Sequence, residues 1–415
     1  MDQDIRQGWK WVPSLYFFQG VPSCLVMTTS SLIYNNMGVS LGLFAYWSSI
    51  ICLPWSLKPL WAPIVERYAT KRQWVLATQA ILVVAFLLLG AAMLTPAFFP
   101  LSLALMFVVA IASGFHDIAC DGYYMLALSE REQSFFVGIR STFFRVAMVT
   151  ATGLVPFVAG RVAAAGSSAG QGWAAAIGLA GLTLAVMACL CRWGMGKIAE
   201  PKARDTNSLV ILWKALKSFF SRRGAAAAVT FFFVYRLGEA LLTKIVLPFL
   251  NTGRDAGGLG MSVERCGITY GTFGVLALVA GGVVGGVVAS HIGLRRALWP
   301  MMLMMNVPNL AYVALACAMP SADSPWVVAA VMTEQFGYGL GFTAYMLVML
   351  HYVSDAEYKA AEYAIGTSIM SLGLTLPGMA AGLLLNVICC SFTTLFIAAC
   401  VATLPGMVAA AFLRK

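Results

Sequence analysis

Twelve times along its 415 residues this chain runs through an apolar stretch of about 20 residues, the length a helix needs to cross the roughly 30 Å hydrocarbon core of a bilayer. Nothing else in the sequence constrains the fold as tightly. Backbone N–H and C=O groups in hydrocarbon find no water, so only helices and closed barrels can satisfy them internally. Barrel strands would alternate with period two over about ten residues, and no such alternation is present. The runs lie near 11–34, 41–63, 74–94, 101–126, 135–162 and 173–193, and then near 225–250, 266–290, 297–319, 326–353, 364–387 and 391–413. Only 11% of the chain is charged and 60% is hydrophobic, against roughly 25% charged in a soluble domain. The expectation is an all-α membrane protein of twelve transmembrane helices in two six-helix bundles. Residues 1–195 form the first bundle and 225–415 the second, with a cytoplasmic linker at 196–224.

Basic residues set the orientation. With a cytoplasmic N-terminus, the inside segments collect Arg6, Lys10, Arg67, Lys71, Arg72, Arg131, Arg192, Lys197, Lys202, Arg204, Lys214, Lys217, Arg222, Arg223, Arg295, Arg296, Lys359, Arg414 and Lys415. The outside loops collect Arg161, Arg254 and Arg265. Nineteen against three is a strong positive-inside bias, so both termini are expected in the cytoplasm. The first apolar run is too long, and lacks the small-residue cleavage site, for a removable signal peptide. Within the linker, Ser208–Phe220 reads as a short amphipathic helix on the inner membrane surface. A solvated linker that helps fix topology is the plainer account of the same residues.

The net charge of +10 does not mark a nucleic-acid binder, because the basic residues are dispersed at helix ends. Ten cysteines fall mostly inside apolar runs, as Cys24, Cys52, Cys120, Cys189, Cys191, Cys317 and Cys400 do, and read as small core residues. With no Cys-x-x-Cys and three histidines, no metal site is expected. There is no Gly-x-x-x-x-Gly-Lys loop for ATP and no serine placed for a triad. Neither an enzyme nor a resident cofactor is expected.

An internal repeat is legible. The turn after the second span reads Ala62 to Arg72 and that after the eighth reads Gly286 to Arg296, both ending on a basic pair. The first resembles the G-x-x-x-D-R-x-G-R-R motif of the major facilitator superfamily, with Glu66 and Arg67 at the acid and base positions and Ala62 in place of the glycine. In the second, Gly286 and Gly293 fit while Ser290 and His291 replace the charged pair. Parallel six-helix repeats are the arrangement of that fold. Glu66, Arg67, Lys71, Arg72, Arg295 and Arg296 are the candidate cytoplasmic gate, clamping neighbouring helices until the halves rock. Alternatively the basic members are topology signals alone.

An ionisable side chain at membrane depth costs several kcal/mol unless paired or wet, which makes each a functional hypothesis. The acids are Asp117 and Asp121 in the fourth span, Glu239 in the seventh and Glu334 in the tenth. These four are the candidate proton carriers. The bases are Arg140 and Arg145 in the fifth span and Arg236 and Lys244 in the seventh, candidates for binding an anionic solute. Asp117 and Asp121 share a helical face, and Arg140 and Arg145 are their natural partners, so a structural ion-pair cluster competes with proton coupling. Arg236 and Glu239 lie about 17 Å in from the cytoplasmic end of their span at 1.5 Å per residue, near the midplane where carriers bind their solutes. Lys244 could instead snorkel outward and pair with Glu334. His116 reads as a packed histidine rather than a relay. Glycines such as Gly281, Gly337, Gly339 and Gly341 favour close helix packing over a gating hinge.

Several segments together resemble the AmpG-type muropeptide permeases, a bacterial family related to acetyl-coenzyme A transporters. They are Tyr16-Phe17-Phe18-Gln19-Gly20-Val21-Pro22, Leu53 to Pro63 (LPWSLKPLWAP), Asp117-Ile118-Ala119-Cys120-Asp121-Gly122 with His116 where the family has glutamine, and Tyr235-Arg236-Leu237-Gly238-Glu239. Glu334 with its following glycines and Ala360 to Ala364 complete the set. The resemblance implies proton-driven import of anhydro-muropeptides across the bacterial cytoplasmic (inner) membrane for cell-wall recycling, by a monomer, with Tyr16 and Gln19 joining the solute-binding candidates. A siderophore or other bulky organic anion would suit the same fold. A sensor that binds without transporting is the alternative from another class.

Overall fold

A computed structural model describes residues 7–198, 208–222, 224–354, 359–387 and 391–412. Arg6, Lys202, Arg204, Arg223, Arg414 and Lys415 lie outside the described residues, as do the side chains of Glu66, Arg131, Lys359 and Ala360.

Twelve helical rods run through the described residues: α1 (12–36), α2 (41–68), α3 (Lys71–Ala92), α4 (Phe98–Ala127), α5 (130–164), α6 (Ala169–Gly194), α7 (Ala225–Asn251), α8 (Val263–Ile292), α9 (Leu294–Ala318), α10 (Pro325–Tyr352), α11 (Lys359–Val387) and α12 (Phe392–Phe412). The rods and the predicted spans correspond one to one. Several start on a capping box, in which a hydroxyl and a side chain three residues on satisfy each other's orphan backbone N–H. Thr70 with Gln73 starts α3, Ser129 with Glu132 starts α5 and Ser168 with Gln171 starts α6.

The rods expose apolar stripes at helical spacing. Leu179, Leu182, Val186 and Leu190 line one face of α6, Ile81, Val84 and Leu88 one face of α3, and Leu276, Val283 and Val287 one face of α8. A soluble monomer rarely exposes such continuous apolar surface, whereas lipid requires it. Eight of the rods meet the length and composition needed to cross a membrane. The 28-residue α10 and 29-residue α11 are long enough as well but carry polar groups at depth. Of the cysteines read as core residues, Cys189 and Cys317 are corrections: they lie on exposed faces, where in a membrane their neighbours are acyl chains.

Three rods are broken where side chains of interest occur. α2 consists of Leu41–Ile51, Leu53–Ser56 and Lys58–Tyr68, interrupted between Pro54 and Pro59, because proline removes a helical donor and clashes with the preceding turn. α7 consists of Ala225–Val234 and Leu237–Asn251, broken at Tyr235-Arg236. α9 breaks at the 3-10 turn Val307–Asn309 around Pro308. The π-helical turns Leu25–Thr29 in α1 and Thr150–Leu154 in α5 face each other, and Thr29 Oγ1 donates to the Ala151 carbonyl at 2.8 Å.

The chain divides into two compact units, Met1–Ser30 with Leu57–Ser208, and Ser31–Ser56 with Leu209–Lys415. In the first, α3 packs along α4 and α6, α1 packs along α5, and the 58–68 part of α2 lies on α4. Trp11, Tyr16, Tyr123, Tyr124 and Phe136 form its aromatic core. In the second, α8 and α9 pack on α10, and α7 packs on α11 and α12. The hairpin tip 31–56 belongs to this unit, its Leu41–Ile51 segment lying along α11.

The linker helix, Ser208–Ser221, belongs from Leu209 onward to the second unit as well. The expected amphipathic helix is present: Ala215 and Phe219 are buried in a cluster with Phe231, Phe232, Tyr345 and Met349, while Val210, Trp213 and Phe220 remain exposed. Just beyond it, Arg222 pairs with the fully buried Glu362 at 3.0 Å and donates to the Tyr352 carbonyl at 2.7 Å. Glycines bring α8 and α10 into close approach. A methyl on Gly281 would strike the Phe336 carbonyl, and one on Gly339 the Leu278 carbonyl.

Candidate functional site

In the first unit, four ionisable side chains from α2, α4 and α5 form two ion pairs, the second of them against Tyr16 of α1. Asp117 is about 15 Å from the end of α4 at 1.5 Å per residue, half the thickness of the hydrocarbon core. Its carboxylate is ion-paired to Lys58, which donates a hydrogen bond to it. Lys58 opens the Lys58–Tyr68 segment immediately after the break at Leu57, so the proline-flanked interruption of α2 is what aims the ammonium at α4. One turn along, the Asp121 Oδ1 accepts from the Tyr16 hydroxyl at 3.1 Å and pairs with Arg140 Nη2 at 3.3 Å. The Arg140 guanidinium lies 4.6 Å from the Tyr16 ring and 5.1 Å from the Tyr124 ring, close enough for cation–π attraction. Two acids and two bases therefore balance.

The cluster is paired without being sealed. Side-chain exposure is 17% for Asp117, 36% for Lys58, 46% for Asp121 and 32% for Arg140. In α1, the Gln19 Oε1 is buried with no hydrogen-bond partner among the described residues, a state that native structures rarely tolerate without water or ligand. Arg145, expected to share the aspartates with Arg140, makes no ion pair among the described residues and stands half-buried. His116 is fully buried against Cys120 Sγ at 3.4 Å and the Phe18 ring at 5.1 Å, the packed role its sequence setting suggested.

In the second unit the break in α7 places Arg236. Its backbone leaves the helix at φ −105°, ψ 19°, and Leu237 starts a new helix. Glu239 stands in the first turn of that helix, where a carboxylate meets the positive end of the helix dipole. Arg236 Nη2 donates to the Tyr338 hydroxyl, and its guanidinium lies 5.5 Å from the Tyr338 ring and 5.3 Å from that of Phe342. Its Nε is buried without a partner among the described residues. Glu334 accepts from the Tyr312 hydroxyl at 3.1 Å and from Gln335 Nε2 at 2.9 Å, and Gln335 also donates to the Tyr270 hydroxyl at 3.2 Å. Glu239 and Glu334 are within electrostatic reach of one another. This cluster holds two carboxylates and one guanidinium.

Lys244 joins neither acid. The alternative of snorkelling toward water and pairing with Glu334 gives way to burial at 6% exposure, with Nζ donating to Ser48 Oγ at 2.8 Å and lying 5.7 Å from the Phe44 ring. Of the gate candidates, Arg72 Nε donates to the Met195 carbonyl at 3.0 Å, tying the start of α3 to the end of α6. Lys71 donates to the Val65 carbonyl at 3.4 Å and lies against Gly122. Arg67 covers the Tyr68 ring at 5.7 Å. Arg295 and Arg296 are exposed. Among the described residues no cluster of His, Cys, Asp and Glu fits a metal ion.

Sequence reasoning missed Lys58 as a site residue, although it sits in the LPWSLKPLWAP stretch and is an ionisable group within a span. It missed the tyrosines Tyr124, Tyr270, Tyr312 and Tyr338 too, since nothing in a tyrosine's spacing separates packing from a buried hydroxyl.

The Major Facilitator Superfamily profile matches residues 14–382. The chain belongs to the Major Facilitator Superfamily. As a superfamily member it is a multi-pass membrane transporter rather than an enzyme, of a class that moves small solutes, often with protons. It is similar to the anhydromuropeptide permease of Escherichia coli (strain K12), 24% identical over 95% of this chain and 77% of that one. It is also similar to the putative transporter AmpG 4 of Rickettsia felis, 22% identical over 95% of this chain and 94% of that one. Among solved structures, the D323A mutant of the nucleoside transporter NupG superposes with a TM-score of 0.73 at 14% identity, over 98% of this chain and 99% of that one. A D-xylose-proton symporter gives 0.71 at 11% identity, over 96% and 95%. These likenesses to solved structures speak for the superfamily fold alone.

Proposed function

We propose that this transporter imports anhydro-muropeptides together with protons across the bacterial cytoplasmic membrane, by alternating access. The observation that carries the reading is the pairing of Asp117 with Lys58 and of Asp121 with Arg140 at membrane depth, neither pair sealed from its surroundings. A buried or half-buried acid–base pair is costly to break unless another charge takes the vacated place. A proton arriving on Asp121 removes its negative charge and frees the Arg140 guanidinium, still cradled by Tyr16 and Tyr124, to take a solute carboxylate. The same exchange at Asp117 frees Lys58. Proton and anionic solute then enter the site together and leave it together, which is symport. Glu239 and Glu334 around Arg236 repeat the logic in the second unit, with Arg236 taking the anion. The similarity to an anhydromuropeptide permease over 95% of the chain supports the cargo, and muropeptides carry the carboxylates that these cations suit.

The termini lie in the cytoplasm on this reading, in keeping with the positive-inside bias. The two six-helix bundles of this reading are 1–195 and 225–415, and the 31–56 segment of the first packs with the second. Glu66, Arg67, Lys71, Arg72, Arg295 and Arg296 form the cytoplasmic gate, and the protein works as a monomer.

The test is uptake of labelled anhydro-muropeptide into membrane vesicles under an imposed pH gradient. Accumulation is expected in the wild type and lost in Asp117→Asn, Asp121→Asn and Glu239→Gln. Accumulation unchanged in all three variants would remove these acids from coupling. Uptake of a ferric siderophore in place of the muropeptide would move the cargo, and binding without counterflow would make the protein a sensor.

A further inference from the structure

Lys244 is the buried cation that neither charge cluster explains. It lies on the Leu237–Asn251 half of α7, and the hairpin tip 31–56 covers it. That tip is docked on the rest of the second unit through neutral groups. Ser56 Oγ meets Ser371 Oγ at 2.6 Å, Asn35 Nδ2 donates to Asn251 Oδ1 at 3.1 Å, and Thr252 Oγ1 donates to Asn35 Oδ1 at 3.2 Å. Two glycines of α11 make the fit possible: a methyl on Gly382 would strike the Tyr46 backbone, and one on Gly378 would come within 2.6 Å of Ser49 Oγ and 3.6 Å of Lys244 Cε. In the middle of this interface the Lys244 ammonium has three N–H donors, one hydroxyl acceptor and one ring face, and no carboxylate partner among the described residues. A buried ammonium supported by a single neutral hydrogen bond is poorly compensated for its lost hydration, and a carboxylate would bind it with a charge-assisted bond about twice as strong as the neutral one.

We propose that Lys244 is an anion-exchange post: in the docked state its ammonium is held by Ser48, and a solute carboxylate displaces that hydroxyl and thereby undocks the 31–56 tip. The proposal rests on the transporter reading and adds to it a second carboxylate subsite, distinct from Arg140 and Arg236, whose occupancy is linked to the position of the tip. Anion binding and tip docking compete for one ammonium, so each weakens the other by the same factor.

A native reporter is present. Cys52 is buried at 8% exposure at the end of the Leu41–Ile51 segment, so undocking exposes it. The experiment labels purified full-length protein in lipid nanodiscs with N-ethylmaleimide and reads Cys52 by peptide mass spectrometry. The probes are N-acetylmuramic acid and N-acetylglucosamine, the same sugar with and without the lactyl carboxylate. The expected result is a several-fold faster Cys52 labelling with N-acetylmuramic acid alone. Ser48→Ala should label faster without any probe, and Lys244→Met should lose the response to the acid. Equal labelling with both sugars, or a response that persists in Lys244→Met, would overturn the proposal. Lys244→Arg guards against misfolding: it keeps the charge and should keep the response, and its loss there would count against anion exchange. Muropeptide uptake measured alongside separates the two readings. Intact uptake with silent Cys52 defeats the exchange post alone, and absent uptake with a carboxylate-dependent Cys52 defeats the cargo alone.

Discussion

Replacing Arg140 and Asp121 singly and together separates a structural ion pair from a transport device. The two charges sit 3.3 Å apart, and Coulomb's law gives about 1.3 kcal/mol for them at the dielectric constant of water and about 5 kcal/mol at an effective value near 20. Arg140 is 32% and Asp121 46% exposed, so solvent screening places the pair toward the lower figure, about 1–2 kcal/mol. After Arg140→Gln, Asp121 keeps the hydrogen bond from Tyr16. After Asp121→Asn, Arg140 keeps its two ring faces, worth about 0.5–1 kcal/mol each. Neither single variant should unfold the protein. Denaturant unfolding in detergent, run as a double-mutant cycle, should return a coupling energy of about 1–2 kcal/mol, with the double variant close to wild type in stability. Vesicle uptake should then part company with stability, staying absent in the double variant because the proton site and the anion site are both gone. A coupling energy of zero would show that the pair adds nothing to stability. Full accumulation by the stable double variant would show that the pair is scaffolding, and the exchange mechanism would fall with it.

Other expectations follow from local geometry. Gly281→Ala forces a methyl onto the Phe336 carbonyl and should sharply lower folded yield by fluorescence size-exclusion, whereas Gly286→Ala, with nothing within 4 Å, should be silent. Arg222→Met strands the fully buried Glu362 and should cost about 3 kcal/mol or more in unfolding free energy; adding Glu362→Gln should recover most of it. Thr70→Ala removes the α3 capping box and should cost about 1 kcal/mol, read as a shift of denaturation midpoint without loss of transport.

The twelve rods were legible because hydrocarbon leaves the backbone so few options that an apolar run of sufficient length is a helix. Their ends were legible to within a few residues, and Thr70-x-x-Gln73 or Ser168-x-x-Gln171 show why: the caps are written locally. Partnerships between rods were less so. That Arg140 would find Asp121 could be read from neighbouring spans and charge sign, but the choice of Asp117 for Lys58 depends on a break in α2 that redirects the ammonium. Arg145, five residues from Arg140 and of identical charge, points elsewhere. The alternative pairing of Lys244 with Glu334 satisfies charge arithmetic, but the fold gives Glu334 to Tyr312 and Gln335 and gives Lys244 a serine. The grouping of residues 31–56 with the second unit has no signature in hydropathy at all, since it depends on small side chains at Gly378 and Gly382 opposite Tyr46 and Ser49.

The most direct measurement of coupled transport is proton entry driven by solute. Purified protein reconstituted into liposomes that enclose a pH-sensitive dye, with no gradient imposed, should acidify the lumen on external addition of anhydro-muropeptide and do nothing with an uncharged sugar. Muropeptide entering at wild-type rate while the lumen stays at its starting pH, or acidification undiminished in Asp117→Asn combined with Asp121→Asn, would contradict the account.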